Sequence, residues 1–377
     1  PLDGSLFERL RANWTEVVDR LIESERDRFD VLKHRDVDVE KFTVWLDAHD
    51  IHHWKETGSG RLATDSDTLT EMARQYGGEV NELREFLSAV RQTRLFEQLR
   101  VGTDGRNRFL KTPFGSKTGR DQPSSSKAIF GGSVWVRSLI RAPKGCGLAY
   151  CDFKGQEYAI AAHFSGDERM MADYMDGDCY LGFAKRAKIV PIDATKESHA
   201  DIRSKLKVAL GLGAIYGAGA PTVARAGQMT IAEAKRYLDI HRMTYTDFWA
   251  WRKTVVHHAG MHKEMVTPFG WRFRVGDDVT PTTAGNWPMQ SAAGDMLRIA
   301  VCLISEAGVR VIGSLHDAVL IEAPLFEMDT AVDVAVSKMT EASRWVLNDA
   351  GELLVDVDRF DYPDHFRDDR GTRMWSK

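Results

Sequence analysis

Two apolar stretches far apart in the chain, "GLAYCDF" at 147–153 and "LHDAVLIEA" at 315–323, do most to limit what this sequence can fold into. Each has the length and the branched or aromatic content of a buried strand. Each also carries an aspartate, Asp152 at the end of the first and Asp317 at the turn that opens the second. Between them the sequence is helix-rich from about 156 to 264, followed by a strand and a helix near 290–307. Strands separated in this way predict one sheet with a helical subdomain inserted into it, an α+β arrangement. An isolated aspartate at a strand end can be a simple helix or turn cap. Two from separate strands can instead hold two hard divalent cations roughly 3.5–4 Å apart, an arrangement that serves phosphoryl transfer by activating the attacking oxygen and stabilising the leaving one.

The rest of the chain accommodates such a sheet. Its 377 residues, 43% hydrophobic and 28% charged, suffice for a large core and two or three subdomains. The apolar runs fall far short of the ~18 residues of a membrane span, and no charged-then-apolar leader opens the chain, which predicts a cytoplasmic protein without a membrane partner. It begins on Pro rather than Met, as a piece of a longer protein would. Cys146, Cys151, Cys179 and Cys302 have no metal or redox spacing and read as free thiols in a reducing compartment. The net charge of −4 does not advertise a nucleic-acid binder, but a global balance can hide a basic groove. Residues 101–127 are basic and rich in Gly, Ser and Thr, either a phosphate-contacting surface or a solvated loop. The N-terminal part is helical, with Leu6, Leu10, Trp14, Val17 and Leu21, then Leu83, Phe86, Leu87 and Val90, at three- and four-residue spacing. A loop interrupts it at 58–65.

A third element is "IRSKLKVALGLGAIYGAGA" at 202–220. Arg203 and Lys207 are four apart and share a helix face, where they could grip successive phosphates. Gly211, Gly213, Gly217 and Gly219 follow a basic helix rather than a strand and lack the dinucleotide-binding spacing. His258 and His262 are also four apart, but Gly260 stands between them and no Cys or carboxylate partner is near, so they read as a partly exposed structural cluster. Phe248, Trp249 and Trp251 read as core.

Three of these stretches, "CDFKGQEYAIAAHFSGD", "RSKLKVALGLGAIYG" and "LHDAVLIE", resemble motifs A, B and C of family A DNA polymerases, the group of bacterial DNA polymerase I and many phage replicases. "GSGRLATD" and "TDSDTL" resemble the family's thumb; "DGRNR" and "GSKTGRDQPSS" its primer–template contact segment; "TPFGWRFRV" and "NWPMQSAAGDMLR" the palm before motif C. The likeness extends from about residue 55 to 323. It implies a right-hand polymerase fold with an antiparallel palm sheet and helical thumb and fingers. The implied boundaries are an N-terminal helix and thumb over 1–100, a first palm part over 101–165, fingers over 166–255, and a second palm part with a C-terminal tail over 256–377. It also implies template-directed addition of deoxynucleotides to a primer 3′ end with pyrophosphate release. The partners would be primer–template DNA and deoxynucleoside triphosphates, the cofactor two Mg²⁺ ions, and the chain a monomer in a bacterial or phage-infected cell.

Carried onto this sequence, Asp152 and Asp317 would bind the metals, with the backbone carbonyl of Phe153 as a third ligand. Arg203 and Lys207 would hold the triphosphate, and Lys207 would donate a proton to the leaving pyrophosphate. Glu157 matches the family's steric gate against a ribose 2′-hydroxyl, and Tyr216 would stack near the templating position. Tyr180 stands where the family often has a phosphate-contacting His. Arg120, Asn286, Gln290 and His316 match positions that touch the primer or the duplex minor groove.

Several positions depart from the family. Ala318 replaces the usual Glu after the motif C aspartate, which predicts altered metal affinity rather than inactivity. Lys207 to Tyr216 is one position longer than usual; at about 100° per residue this would swing Tyr216 off the Lys207 face, so a π-bulge or local unwinding is expected near 211–214. Gly155, Gln156 and Ala159 also differ from the usual motif A. No stretch before the thumb is long enough for the proofreading domain, so no 3′–5′ exonuclease is expected in this chain. The alternatives are a single-subunit RNA polymerase, disfavoured by Glu157, and a weakened or silent relative that binds primer–template, disfavoured by the retained Asp152, Asp317, Arg203 and Lys207. The tail from Arg359 reads as a solvated extension.

Overall fold

The computed structural model describes residues 1–91, 99–123, 127–207, 213–227 and 229–376. They segregate into two compact units, one of 1–110, 123–141 and 365–377, the other of 111–122 and 142–364.

The first unit is built on α1 (Gly4–Ser24), α2 (Val39–Ala48), α3 (Ser66–Tyr76) and α4 (Gly78–Arg91). Asp3, Asp38 and Asp65 cap the first three by accepting backbone N–H groups of the opening turn, which ends each preceding loop at a defined residue. In α4 the stripe of Leu83, Phe86, Leu87 and Val90 is buried as its spacing predicts. In α1 the buried stripe is Phe7, Trp14 and Val18, flanked by half-buried Leu6, Leu10, Val17 and Leu21. The expected face is therefore correct to within one residue, and the indole of Trp14 stacks 5.6 Å from that of Trp135.

In the second unit β1 (Cys146–Phe153) leads, among the described residues, into α5 (Gln156–Ser165), α6 (Glu168–Met175), α7 (Cys179–Arg186), α8 (Ala200–Leu206), α9 (Ala220–Gly227), α10 (Ile231–Thr244) and α11 (Thr246–His262). A short hairpin, Glu264–Val266 with Arg272–Arg274, precedes α12 (Pro281–Glu306). The chain then returns to the sheet with β2 (Arg310–Leu315) and β3 (Ala318–Pro324), packs α13 (Met328–Val346), and closes with β4 (Val355–Asp361). The four strands form one antiparallel sheet in the order β4–β1–β3–β2, so β1 pairs with β3 across the whole helical excursion. α12 starts earlier than the apolar periodicity near 290 indicates, because Thr280 caps it and Pro281 occupies its first turn.

Side chains alternate across a strand, so Cys151 and Phe153 enter the core shared with α12 and α13 while Asp152 points to the other face. The C-terminal segment is a correction to the expected solvated extension. Arg359 and Phe360 lie in β4, and in the first unit Phe366 is buried while Asp368 caps α14 (Asp369–Trp375) and accepts from Arg137 at 2.8 Å. A short, charge-rich stretch hides such a role, because its contacts are with residues distant in sequence. Among the described residues no helix is long and apolar enough to cross a membrane.

Candidate active site

Asp152 and Asp317 meet at one end of the sheet. Asp152 is the penultimate residue of β1, opposite Ala318 on one side and Asp356 on the other. Asp317 sits in the tight turn between β2 and β3, entered through His316 in the left-handed region at φ 36°. The Phe153 N–H donates to the Asp317 carbonyl at 3.1 Å, which ties that turn to β1. The two carboxyl groups are in hydrogen-bond contact, yet the Oδ1 of Asp152 is buried without a partner. Burial, then the Asp317 carboxylate and then Asp356 and Asp358 push the Asp152 carboxyl up to about 7. Burial raises Asp317 as well, while the bond from Asp152 and the charges of His316 and Arg120 oppose the rise. Both carboxyls are thus pushed toward the protonated form, and the pair favours holding a proton between them.

A site that stabilises a proton between two carboxylates fits a divalent cation in its place. Among the described residues no cluster of three or more His, Cys, Asp or Glu could hold a metal. The pair thus suits a cation such as Mg²⁺, which is commonly held by one or two carboxylates with water and substrate phosphates completing its shell. The raised value also predicts a stability effect. A carboxyl raised above its unfolded value favours the fold below about pH 4, and that contribution is lost as pH rises through about 7. Asp152→Asn is accordingly expected to raise the thermal midpoint of the metal-free chain at pH 8 and to leave it nearly unchanged at pH 4; equal shifts at both would contradict the proton-sharing pair.

Beside the pair lies a second cluster. Gly155, left-handed at φ 53°, turns the chain from β1 into α5 and places Glu157 in that helix's first turn. Glu157 accepts from the Arg120 guanidinium at 2.6 Å and from the Tyr216 hydroxyl, which Gln290 of α12 also reaches. Burial and the Glu157 carboxylate hold that hydroxyl firmly protonated. Arg120 is carried by a loop that Lys111 and Arg298 anchor. Lys111 donates to the carbonyl and hydroxyl of Ser314, and Arg298 to the Gly119 carbonyl at 2.6 Å and to Asp121 at 3.1 Å. Asn286 joins through Arg252, whose guanidinium reaches Asn286 Oδ1 at 2.9 Å and the Tyr216 carbonyl at 3.0 Å.

Arg203, Lys207 and Tyr180 lie on the helical excursion. The Arg203 Nε donates to the buried carboxylate of Asp178, which also caps α7 by accepting from the N–H groups of Tyr180 and Leu181. Using Nε leaves the two terminal nitrogens of Arg203 for a phosphate. Lys207 is exposed at the end of α8, and Tyr180 is half-buried beside Arg203. The wide winding expected from the extra residue is present: Lys207, Gly213 and Ala214 are π-helical, and the Ala218 N–H donates to the Gly213 carbonyl five residues back at 2.8 Å. Residues 208–212, including Gly211, lie outside the described residues. On the resemblance's reading of Arg203 as a triphosphate contact, and because Asp178 orients Arg203, Asp178→Asn is expected to raise the KM for a nucleoside triphosphate by roughly three- to tenfold with kcat little changed. A lower KM would mean that Asp178 competes with the substrate instead.

Sequence reasoning missed Asp178, Arg252 and Asp356. Only the D-x-Y spacing to Tyr180 hinted at the first. Arg252 was hidden among aromatic core residues, of which Phe248 is fully buried and Trp249 and Trp251 pack against the core. His258 and His262 are exposed, with their rings 4.2 Å apart and tilted by 32° to one another.

The fold, an antiparallel sheet with two carboxylates at one end and a long helical excursion between its strands, is that of right-hand polymerases. The polymerase domain of Pol1 from M. smegmatis, solved in complex with DNA primer–template and dNTP, superposes with a TM-score of 0.73 over 96% of this chain and 66% of that one, at 22% identity. The model of DNA polymerase family A matches residues 40–358, and the chain belongs to that family. It is 26% identical over 315 residues to the DNA polymerase of Mycobacterium phage D29, covering 80% of this chain and 49% of the relative. It is 23% identical over 221 residues to the thermostable DNA polymerase I of Thermus thermophilus, covering 55% and 26%. The chain thus spans about half the length of the phage relative and about a quarter of the bacterial one.

Proposed function

We propose that the chain is a template-directed DNA polymerase that adds deoxynucleotides to a primer 3′ end and releases pyrophosphate. The observation that carries this reading is the half-buried pair of Asp152 and Asp317 at one end of the sheet, beside the Glu157–Tyr216–Arg120 cluster, in a chain of this family. Asp152, Asp317 and the Phe153 carbonyl would hold the cations. Bound Mg²⁺, two ions in this reading, supplies the Lewis acidity that lowers the pKa of the primer hydroxyl and neutralises the triphosphate.

The other roles belong to the chain's own side chains. Arg203 and Lys207 grip the triphosphate, Tyr180 makes a further phosphate contact, and Lys207 gives its proton to the departing pyrophosphate. Glu157 occupies the space a ribose 2′-hydroxyl would need, and Tyr216 flanks the nascent pair. Arg120, Gln290, Asn286 and His316 contact the primer and the minor groove, where purine N3 and pyrimidine O2 present the same acceptors in every Watson–Crick pair.

The test is extension of a labelled primer–template with Mg²⁺, offering deoxynucleotides or ribonucleotides in separate reactions. Templated extension with deoxynucleotides alone is expected. Tight duplex binding without any extension would overturn the reading and leave a binding protein.

A further inference from the structure

Arg252 lies in α11 and is only 6% exposed, and among the described residues no carboxylate pairs with it. Its hydrogen bonds go instead to neutral groups: the carbonyls of Ile215 at 3.2 Å and Tyr216 at 3.0 Å, and Asn286 Oδ1 at 2.9 Å. Burial lowers its pKa to about 10, so it remains a cation at neutral pH. A buried cation without a counter-charge is costly, and general stability does not account for its presence.

Space has been cleared for it from two directions. A Cβ on Gly217, left-handed at φ 71°, would stand 2.4 Å from one terminal nitrogen, and a Cβ on Gly285 of α12 would stand 2.6 Å from the guanidinium carbon. The contact with Asn286 also has a definite sense. A guanidinium only donates, so it takes the amide oxygen and turns the Asn286 NH₂ group away from itself. That NH₂ is the donor that purine N3 and pyrimidine O2 in a minor groove require. Through the Tyr216 carbonyl the same guanidinium holds the residue whose hydroxyl binds Glu157.

We propose that Arg252 is a positioning residue that joins the Glu157–Tyr216 sugar gate to the Asn286 minor-groove donor, so that nucleotide sugar and primer-terminal pairing are sensed by one rigid unit. This rests on the polymerase reading above. Arg252 touches neither substrate; it acts by orienting Tyr216 and Asn286.

The experiment compares Arg252→Met, which keeps the length and removes the donors, with Gly285→Ala, which keeps the arginine and displaces it from Asn286 while placing a better helix former in α12. Two ratios are read by single-turnover extension: deoxynucleotide over ribonucleotide, and natural primer over a primer ending in a 3-deazapurine, which lacks the N3 acceptor. Both variants are expected to lower the first ratio roughly tenfold and to bring the second close to one. Thermal unfolding reports whether Arg252→Met is folded, and Gly285→Ala decides the matter if it is not. Ratios unchanged in Gly285→Ala, or equal loss with every substrate, would mean that Arg252 serves packing alone and would overturn the proposal while leaving the polymerase reading intact. Failure of the unsubstituted chain to extend any primer would overturn both.

Discussion

Asp317→Asn is expected to abolish primer extension, by a factor of roughly 10³ or more, and to leave primer–template affinity within about twofold. The reason lies in what the amide cannot do. Asp317 is raised mainly by burial, and its contact with Asp152 is of the kind that a cation would replace. Asparagine removes the charge and offers an N–H₂ donor to the Asp152 carboxyl, satisfying the pair without a cation. Ala318 cannot compensate, because it is fully buried and carries no carboxylate. Asp356, across β1 from Ala318, contributes charge to Asp152 but lies on an exposed edge strand. Single-turnover extension alongside equilibrium binding of a labelled duplex separates the two effects. Extension retained within tenfold would remove Asp317 from the chemistry.

The second large effect is expected at Glu157. Its carboxylate is the common acceptor for Arg120 and Tyr216, so Glu157→Ala is expected to open the space for a 2′-hydroxyl and leave two half-buried donors unsatisfied. Ribonucleotide incorporation is expected to rise relative to deoxynucleotide by about a hundredfold, most of it through the ratio of kcat/KM values, since a site that excludes by shape loses discrimination when the shape is removed. Glu157→Gln separates the two causes: it keeps the bulk and should keep the exclusion, while weakening the bond to Arg120. If the alanine variant rejects ribonucleotides as well as the original chain does, the gate lies elsewhere.

How far these residues could be found in advance depends on the range of the interactions that place them. The strands ending in Asp152 and beginning after Asp317 are legible because burial of a sheet writes a continuous apolar run into a few adjacent residues. The helices around Trp14 and Leu87 are legible for the same reason, at a different period. The extra position between Lys207 and Tyr216 led to the expectation of a π-winding, since the rotation per residue is a local property, and Gly213 and Ala214 are so wound. Arg203 and Lys207 could be placed on one face, but not the carboxylate of Asp178 that holds the arginine.

The tertiary structure alone decided the rest. Nothing local shows that Asp356 lies opposite Asp152, that the C-terminal tail buries Phe366, or that Arg252 reaches both Tyr216 and Asn286. Each is a contact between segments dozens to hundreds of residues apart; the first depends on the strand order β4–β1–β3–β2, the second on the packing of Phe366 against Phe130 within the first unit, and the third on the packing of α11 against α12. The sequence by itself determined the elements and the chemical groups they carry, because periodicity and capping act within a few turns of chain. Which groups come to lie beside one another, as Asp152 and Asp317 do and as Arg252 does with Tyr216 and Asn286, was settled by the fold, because charge and hydrogen bonding act across space.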